Sequence, residues 1–375
     1  MKLFQCQNCG QPLYFENTRC ERCGLALGYL PKRETITALK QEAQVPGDKE
    51  TVWRALADQN TYRHCANAAY DVCNWLILTK RPDAYCLACR HNRIIPDLSF
   101  VDNLEKWRAL EVAKHRLFYT LIQLRLPLET RWENPAGLAF KFLADLAASD
   151  SAVMTGHVDG VITINIAEAD DVERERRRQQ MGELYRTPLG HFRHEIGHYY
   201  WDRLIANSPH VESFRRVFGD ERRDYDTALK NYYANGPAPD WSRHFISAYA
   251  SSHPWEDFAE TWAHYFHMID TIETAHVGGL ALSPQLPQSP GAVFDFHPSE
   301  AGMDQLIEAW LALTFAVNSI NRSMGLHDLY PFVLTPSVVA KLNFVQQRIR
   351  AVSGRPSGLE APKRTFVPRE KQNAS

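Results

Sequence analysis

A chain of 375 residues, 45% hydrophobic and 23% charged, can bury a sizeable core, which excludes a disordered or fibrous protein. Its formal net charge of -2 gives no general electrostatic pull towards nucleic acid or an anionic membrane. No apolar run approaches the ~20 residues that cross a bilayer, and two cysteines interrupt Met1 to Gly10 where a leader would need its apolar stretch. A soluble, cytoplasmic protein is expected.

In chain order, Cys6-Gln7-Asn8-Cys9-Gly10 and Cys20-Glu21-Arg22-Cys23-Gly24 come first, as two matched knuckles. Two residues between the cysteines let both thiolates reach one tetrahedral ion, and the glycine after the second permits the tight turn around sulfur. Residues 1–30 therefore read as a zinc ribbon, with Cys6, Cys9, Cys20 and Cys23 holding a structural zinc. Residues 31–60 read as a linker whose clearest break is Pro46-Gly47-Asp48. A second cysteine-rich zinc module is expected over 61–97, where Cys86 and Cys89 form a knuckle and Cys65 and Cys73 are spaced more loosely. His64 or His91 could replace one of these cysteines as ligand, and Cys73 could simply be buried.

The main domain is expected over 98–350. Leu104, Trp107, Leu110, Leu117, Leu121 and Leu124 recur at helical spacing between Asp102 and Leu126, and Pro127 ends the run. Val161 to Ile166 alternates branched apolar with polar residues and reads as a strand, preceded by a Gly-punctuated turn that carries His157. Glu168 to Arg178 is acidic first and basic later, as a helix macrodipole favours, and its interleaved acids argue for an exposed helix or lid rather than a nucleic-acid contact.

His194-Glu195-Ile196-Gly197-His198 follows. On a helix, residues four apart share a face, so His194 and His198 can aim two imidazoles at one metal ion with Glu195 beside it as general base. Neutral imidazoles leave the charge of Zn²⁺ uncancelled, so it can lower a bound water's pKa towards ~7. Helices are expected over 212–218 and 221–233, closed by Asn235-Gly236-Pro237.

A catalytic zinc normally has three protein ligands. Trp201 and Leu204 stand where an extended motif would place Gly and a third His, so the ligand must come from farther along. His253 to Phe266 supplies it: Pro254 suits a first helical turn, Phe258, Trp262 and Tyr265 form an apolar stripe, and Glu256, Glu260, His264 and His267 lie on another face. Glu256 is assigned as the third ligand in the first of two registers, with Glu260 and His264 supporting the ligand histidines from behind. Glu260 as ligand, backed by His264, is the other.

These residues resemble the gluzincin metallopeptidases, whose third zinc ligand is a glutamate on a later helix. Tyr249 and Glu256 to Glu260 are similar to the catalytic domain of anthrax lethal factor, which implies that Tyr249 stabilises the oxyanion. From Cys6 to about Arg350 the chain resembles the bacterial zinc-ribbon metallopeptidase family. The segments that carry this are Cys6 to Gly24, Cys65 to Trp75, Thr155 to Arg178, Gly190 to Trp201, His253 to His264 and Asn321 to Gly325.

The expected fold is α+β: a zincin-like metallopeptidase domain, mostly helical with a small sheet, preceded by the zinc-ribbon modules. Pro284 to Pro290 reads as a loop, 301–319 and 337–349 as packing helices, and 351–375 as a disordered tail. The expected activity is zinc-dependent hydrolysis of a protein or peptide substrate, with one catalytic and two structural Zn²⁺. A protein partner could dock through the ribbons. The alternative is a ribbon-based protein- or nucleic-acid-binding module attached to an inactive or regulated zincin domain, although the aromatic and polar rather than basic character of residues 1–30 weighs against nucleic acid.

Overall fold

The structure is a computed structural model that describes residues 2–43, 51–145, 153–181, 186–285 and 291–354. It mixes helices with small sheets. A β-rich N-terminal region carries the cysteines, and a mainly helical region follows.

The N-terminal region opens on a two-stranded ribbon, β1 (Phe4–Gln5) and β2 (Pro12–Leu13). A five-stranded antiparallel sheet follows, in the order β3 (Ala26–Leu30), β4 (Thr35–Gln41), β5 (Trp53–Ala55), β6 (Thr61–His64) and β7 (Leu76–Leu78). The sheet curls until β3 meets the approach to β7, where the Tyr29 N–H donates to the Asn74 carbonyl over 2.9 Å. Gly28 permits that approach, because a Cβ there would lie 2.5 Å from the Leu76 side chain. Leu30, Leu39, Ala55, Tyr62 and Leu76 fill the space enclosed.

The linker expected over 31–60 is thereby corrected. β4 and β5 lie inside that span, and the sheet joins the two expected modules into one unit. Alternation in β4 stops after Thr-Ile-Thr, β5 has three residues, and the two strands pair with each other across the break, so the sequence hid them. Pro46-Gly47-Asp48 itself lies outside the described residues.

The second region starts within the expected second module, because β8 (Asn92–Ile94) pairs with β9 (Ala139–Leu143) in a sheet ordered β10-β11-β9-β8, completed by β10 (Gly156–Val158) and β11 (Val161–Asn165). β10 is antiparallel to β11 and forms one edge. The long helix α1 (Val101–Gln123) lies between the two regions, and α2 (Asp171–Met181) follows the sheet. Arg176 and Arg178 pair with Glu173 and Glu175 one turn earlier, as the interleaved charges suggested.

Next come α3 (Pro188–Leu204), α4 (Val211–Phe218), α5 (Tyr225–Asn235) and α6 (Pro254–Val277). The hairpin β12 (Ala281–Leu282) and β13 (Ala292–Val293) leads to α7 (Met303–Ser323) and α8 (Pro336–Ser353). α8 extends three residues beyond the expected boundary at 350, while the rest of the expected tail from residue 355, and the loop segment 286–290, lie outside the described residues. No helix among the described residues is long and apolar enough to cross a membrane.

Local chemistry starts the two helices that matter most. Thr187 caps α3 by accepting from the Gly190 N–H over 3.0 Å, with Pro188 in the first turn. His253 caps α6 by accepting from the Trp255 N–H, again ahead of a first-turn proline. The helices cross at Gly197, whose missing Cβ would lie 2.9 Å from the Ala259 Cα and 3.2 Å from the Trp262 Cβ.

Gly197→Val should therefore force α3 and α6 apart and cost at least about 2 kcal/mol in denaturant unfolding. Stability equal to the parent's would show that this contact does not set the helix spacing.

Candidate metal centre

α3 and α6 bring three atoms together. His194 Nε2 lies 2.9 Å from Glu256 Oε2, His198 Nε2 lies 3.4 Å from the same oxygen, and the two Nε2 atoms are 3.2 Å apart. A tetrahedral ion with bonds of ~2.0–2.2 Å requires ligand edges of roughly 3.3–3.5 Å, so the triangle has nearly the size that zinc demands.

Hydrogen bonds from behind orient two of the three residues of the triangle, His194 and Glu256. Glu260 Oε1 lies 2.7 Å from His194 Nδ1 and accepts from its N–H; burial opposes charging the ring, but Glu256 and Glu260 raise His194 well above the ordinary imidazole value, and a metal ion would take the place of the second proton on Nε2. Glu256 Oε2 is itself buried and accepts no hydrogen bond in the described structure, while Glu256 Oε1 accepts from the Tyr225 hydroxyl over 2.6 Å. Lone pairs converging in a buried site repel one another unless a cation lies between them, and this donor set fits Zn²⁺.

Glu256 thus stands in the triangle and Glu260 stands behind His194, held from its other side by the Ser247 hydroxyl at 2.6 Å. Burial, offset by bonding to His194, leaves the Glu260 carboxyl down at about 2, so it accepts as a carboxylate. His264 takes a different place from the supporting one expected. Its Nδ1 bonds to the Tyr330 hydroxyl and its ring meets Phe332, because the next turn of α6 faces the chain arriving from α7.

Glu195 is on α3 beside the triangle and buried, and burial raises its carboxyl above the ordinary value despite the neighbouring imidazoles. The Tyr249 ring lies 6.0 Å from that of His194, in a short turn ahead of α6. His157, on edge strand β10, stacks at 6.4 Å from His198, and its Nε2 accepts from the Gly160 N–H. Trp255 closes the site with its ring 3.8 Å from that of His198.

Sequence reasoning missed Tyr225, Ser247 and Trp255. Tyr225 and Ser247 lie in segments with no motif of their own, and only the folded chain brings them to the two glutamates. Trp255, next to the Pro254 signal, was the one that its neighbours could have marked.

Each cysteine quartet also converges, with its four sulfurs within 4.8 Å of one another. In the first, the Cys6–Cys23 and Cys9–Cys20 sulfurs are 3.7 and 3.6 Å apart, and the two knuckles match: the Gly10 and Gly24 N–H groups donate to the Cys6 and Cys20 carbonyls, both glycines at positive φ. The Gln11 N–H pulls Cys9 down, yet burial and its bonds to Cys20, Cys6 and Cys23 push it up to about 12. Four thiolates this close need a cation. The second quartet, Cys65, Cys73, Cys86 and Cys89, is wholly buried, and burial pushes Cys73 and Cys86 well up. His64 and His91 stay outside it, and the two ring nitrogens of His91 instead lie 2.9 and 3.2 Å from the Leu87 and Leu128 carbonyl oxygens.

Comparison with known proteins gives the same division. Residues 103–348 match the family described as "Putative zinc-binding metallo-peptidase", and residues 3–100 match a zinc-ribbon domain. Uncharacterized proteins of Mycobacterium bovis and of two strains of Mycobacterium tuberculosis are each 40% identical over 357 residues, covering 94% of this chain and 96% of theirs. No solved structure matches.

Replacing Cys6 and Cys9 together by serine should lower the zinc content by one ion per chain, measured by plasma emission. An unchanged content would remove the first quartet as a zinc site.

Proposed function

Because the chain belongs to this family of zinc-binding metallopeptidases, we propose that it is a zinc-dependent peptidase with a gluzincin-type site on a zincin-like domain. His194, His198 and Glu256 hold the catalytic Zn²⁺, and the two cysteine quartets hold structural ones. The observation that carries the reading is the triangle of Nε2, Nε2 and Oε2 atoms, sized for zinc, with His194 and Glu256 oriented from behind by Glu260 and Tyr225.

When bound, zinc supplies Lewis-acid polarisation of the scissile carbonyl and a lowered pKa for water. The protein's own groups do the rest. Glu195, buried and with its carboxyl raised, takes the proton from the attacking water and returns it to the leaving amine. Tyr249 donates to the carbonyl oxygen as negative charge builds there. Glu260 and Tyr225 hold His194 and Glu256 in orientation from behind. The side of edge strand β10 that is unpaired among the described residues, where His157 stacks near His198, offers backbone groups to an extended polypeptide. A protein or peptide is therefore the proposed substrate.

The parent should hold three zinc ions per chain and His198→Ala two, counted by plasma emission. Equal counts would remove the catalytic assignment. Glu195→Gln should keep all three and lose about 10²- to 10⁴-fold in cleavage of a mixed peptide library, the range for an acid–base group. Cleavage matching the parent's would rule Glu195 out as the base.

A further inference from the structure

Arg193 immediately precedes His194, is buried, and plays no part in the chemistry above. One arm of its guanidinium bonds to Asp270 on α6 and another meets His267 Nδ1. Asp270 Oδ2, the oxygen that receives Arg193, also accepts from the Thr120 hydroxyl on α1 over 2.7 Å. Three helices thus meet at one carboxylate. One turn farther along α6, Glu273 accepts from the Tyr119 hydroxyl over 2.7 and 2.9 Å, and also from Gln123.

Stability is a weak reason to bury such a pair, since desolvating the two charges offsets much of their attraction. Orientation is a better one. A guanidinium bonded at two of its nitrogens fixes the rotation of the helix that carries it. α3 carries both imidazoles and α6 carries Glu256, so their relative rotation decides whether the triangle closes.

α1 is in turn seated against the N-terminal unit. Arg116 pairs with Glu16 at 2.6 Å, the Tyr119 ring meets Phe15 at 5.5 Å, and His115 Nε2 lies 3.7 Å from the Cys89 sulfur.

We propose that Asp270 is a positioning residue for the metal centre: with Arg193 it locks α3 on α6 in the rotation that closes the His194–His198–Glu256 triangle, and through Thr120 it makes α1 part of the lock. The cysteine-bearing unit is then a brace of the site rather than a detachable module. The proposal rests on the triangle as a zinc site but not on any peptidase activity.

The test measures the affinity of the full-length chain for its third zinc ion by competition with a chromophoric chelator, beside thermal unfolding. Asp270→Asn should weaken that affinity about tenfold or more, the scale for groups that orient metal ligands, and Thr120→Val should weaken it severalfold. Both should keep the two zinc ions of the cysteine quartets. Glu273→Gln, a buried change in the same α1–α6 seam, should lower the melting temperature yet leave the affinity within about twofold, which separates positioning from general destabilisation.

Affinity within twofold of the parent in Asp270→Asn would overturn the proposal, and so would an equal loss in Glu273→Gln. If Asp270→Asn does not fold, Thr120→Val decides by the same criterion. Equal zinc content in the parent and His198→Ala would instead overturn the zinc reading beneath it.

Discussion

The absence of a side chain at Gly197 lets α3 come within contact of the Ala259 backbone, and the spacing of the whole site follows from it. Two imidazoles four residues apart on one helix can meet a carboxylate from another only if the helix axes approach closely, since Glu256 reaches across on a short side chain. The aromatic stripe of α6 maintains that approach: Trp262 stacks on Tyr200 of α3 at 5.1 Å, and Phe258 packs on Trp262. Glu256, Glu260 and His267 on the same helix then face α3 rather than water.

Holding lone pairs together in a buried site is unfavourable without a cation, so the site depends on groups behind it. Glu260 and Ser247 set one imidazole, Tyr225 sets the carboxylate, and Arg193 with Asp270 ties the two helices. Lys341 of α8 adds a further tie, bonding both to Asp257 beside Glu256 and to the His244 carbonyl at the start of the segment that carries Ser247 and Tyr249. Ligand, orienting carboxylate and candidate oxyanion donor are thereby referred to one frame. The N-terminal unit joins that frame through α1.

Sequence and structure agree most closely where chemistry is local. The Cys-x-x-Cys-Gly knuckles, the pair of histidines at helical spacing, and the proline-led start of α6 each declare themselves within a few residues. The register of α6 was open in the sequence, because Glu256 and Glu260 lie one turn apart on the same face and only the crossing at Gly197 distinguishes them. Tyr225 and Ser247 carried no signal, since each acts on a residue 31 or 13 positions away through the tertiary fold. The span 31–60 reads as a linker because β5 has only three residues and the Thr-Ile-Thr alternation of the seven-residue β4 breaks at Ala38-Leu39, and their stability comes from the curled sheet around them.

The most direct test of the account is a crystal of the full chain with diffraction recorded on either side of the zinc absorption edge. The account predicts one anomalous peak within ~2.0–2.2 Å of His194 Nε2, His198 Nε2 and a Glu256 oxygen, besides one peak in each cysteine quartet. Peaks in the quartets with none between α3 and α6 would contradict it.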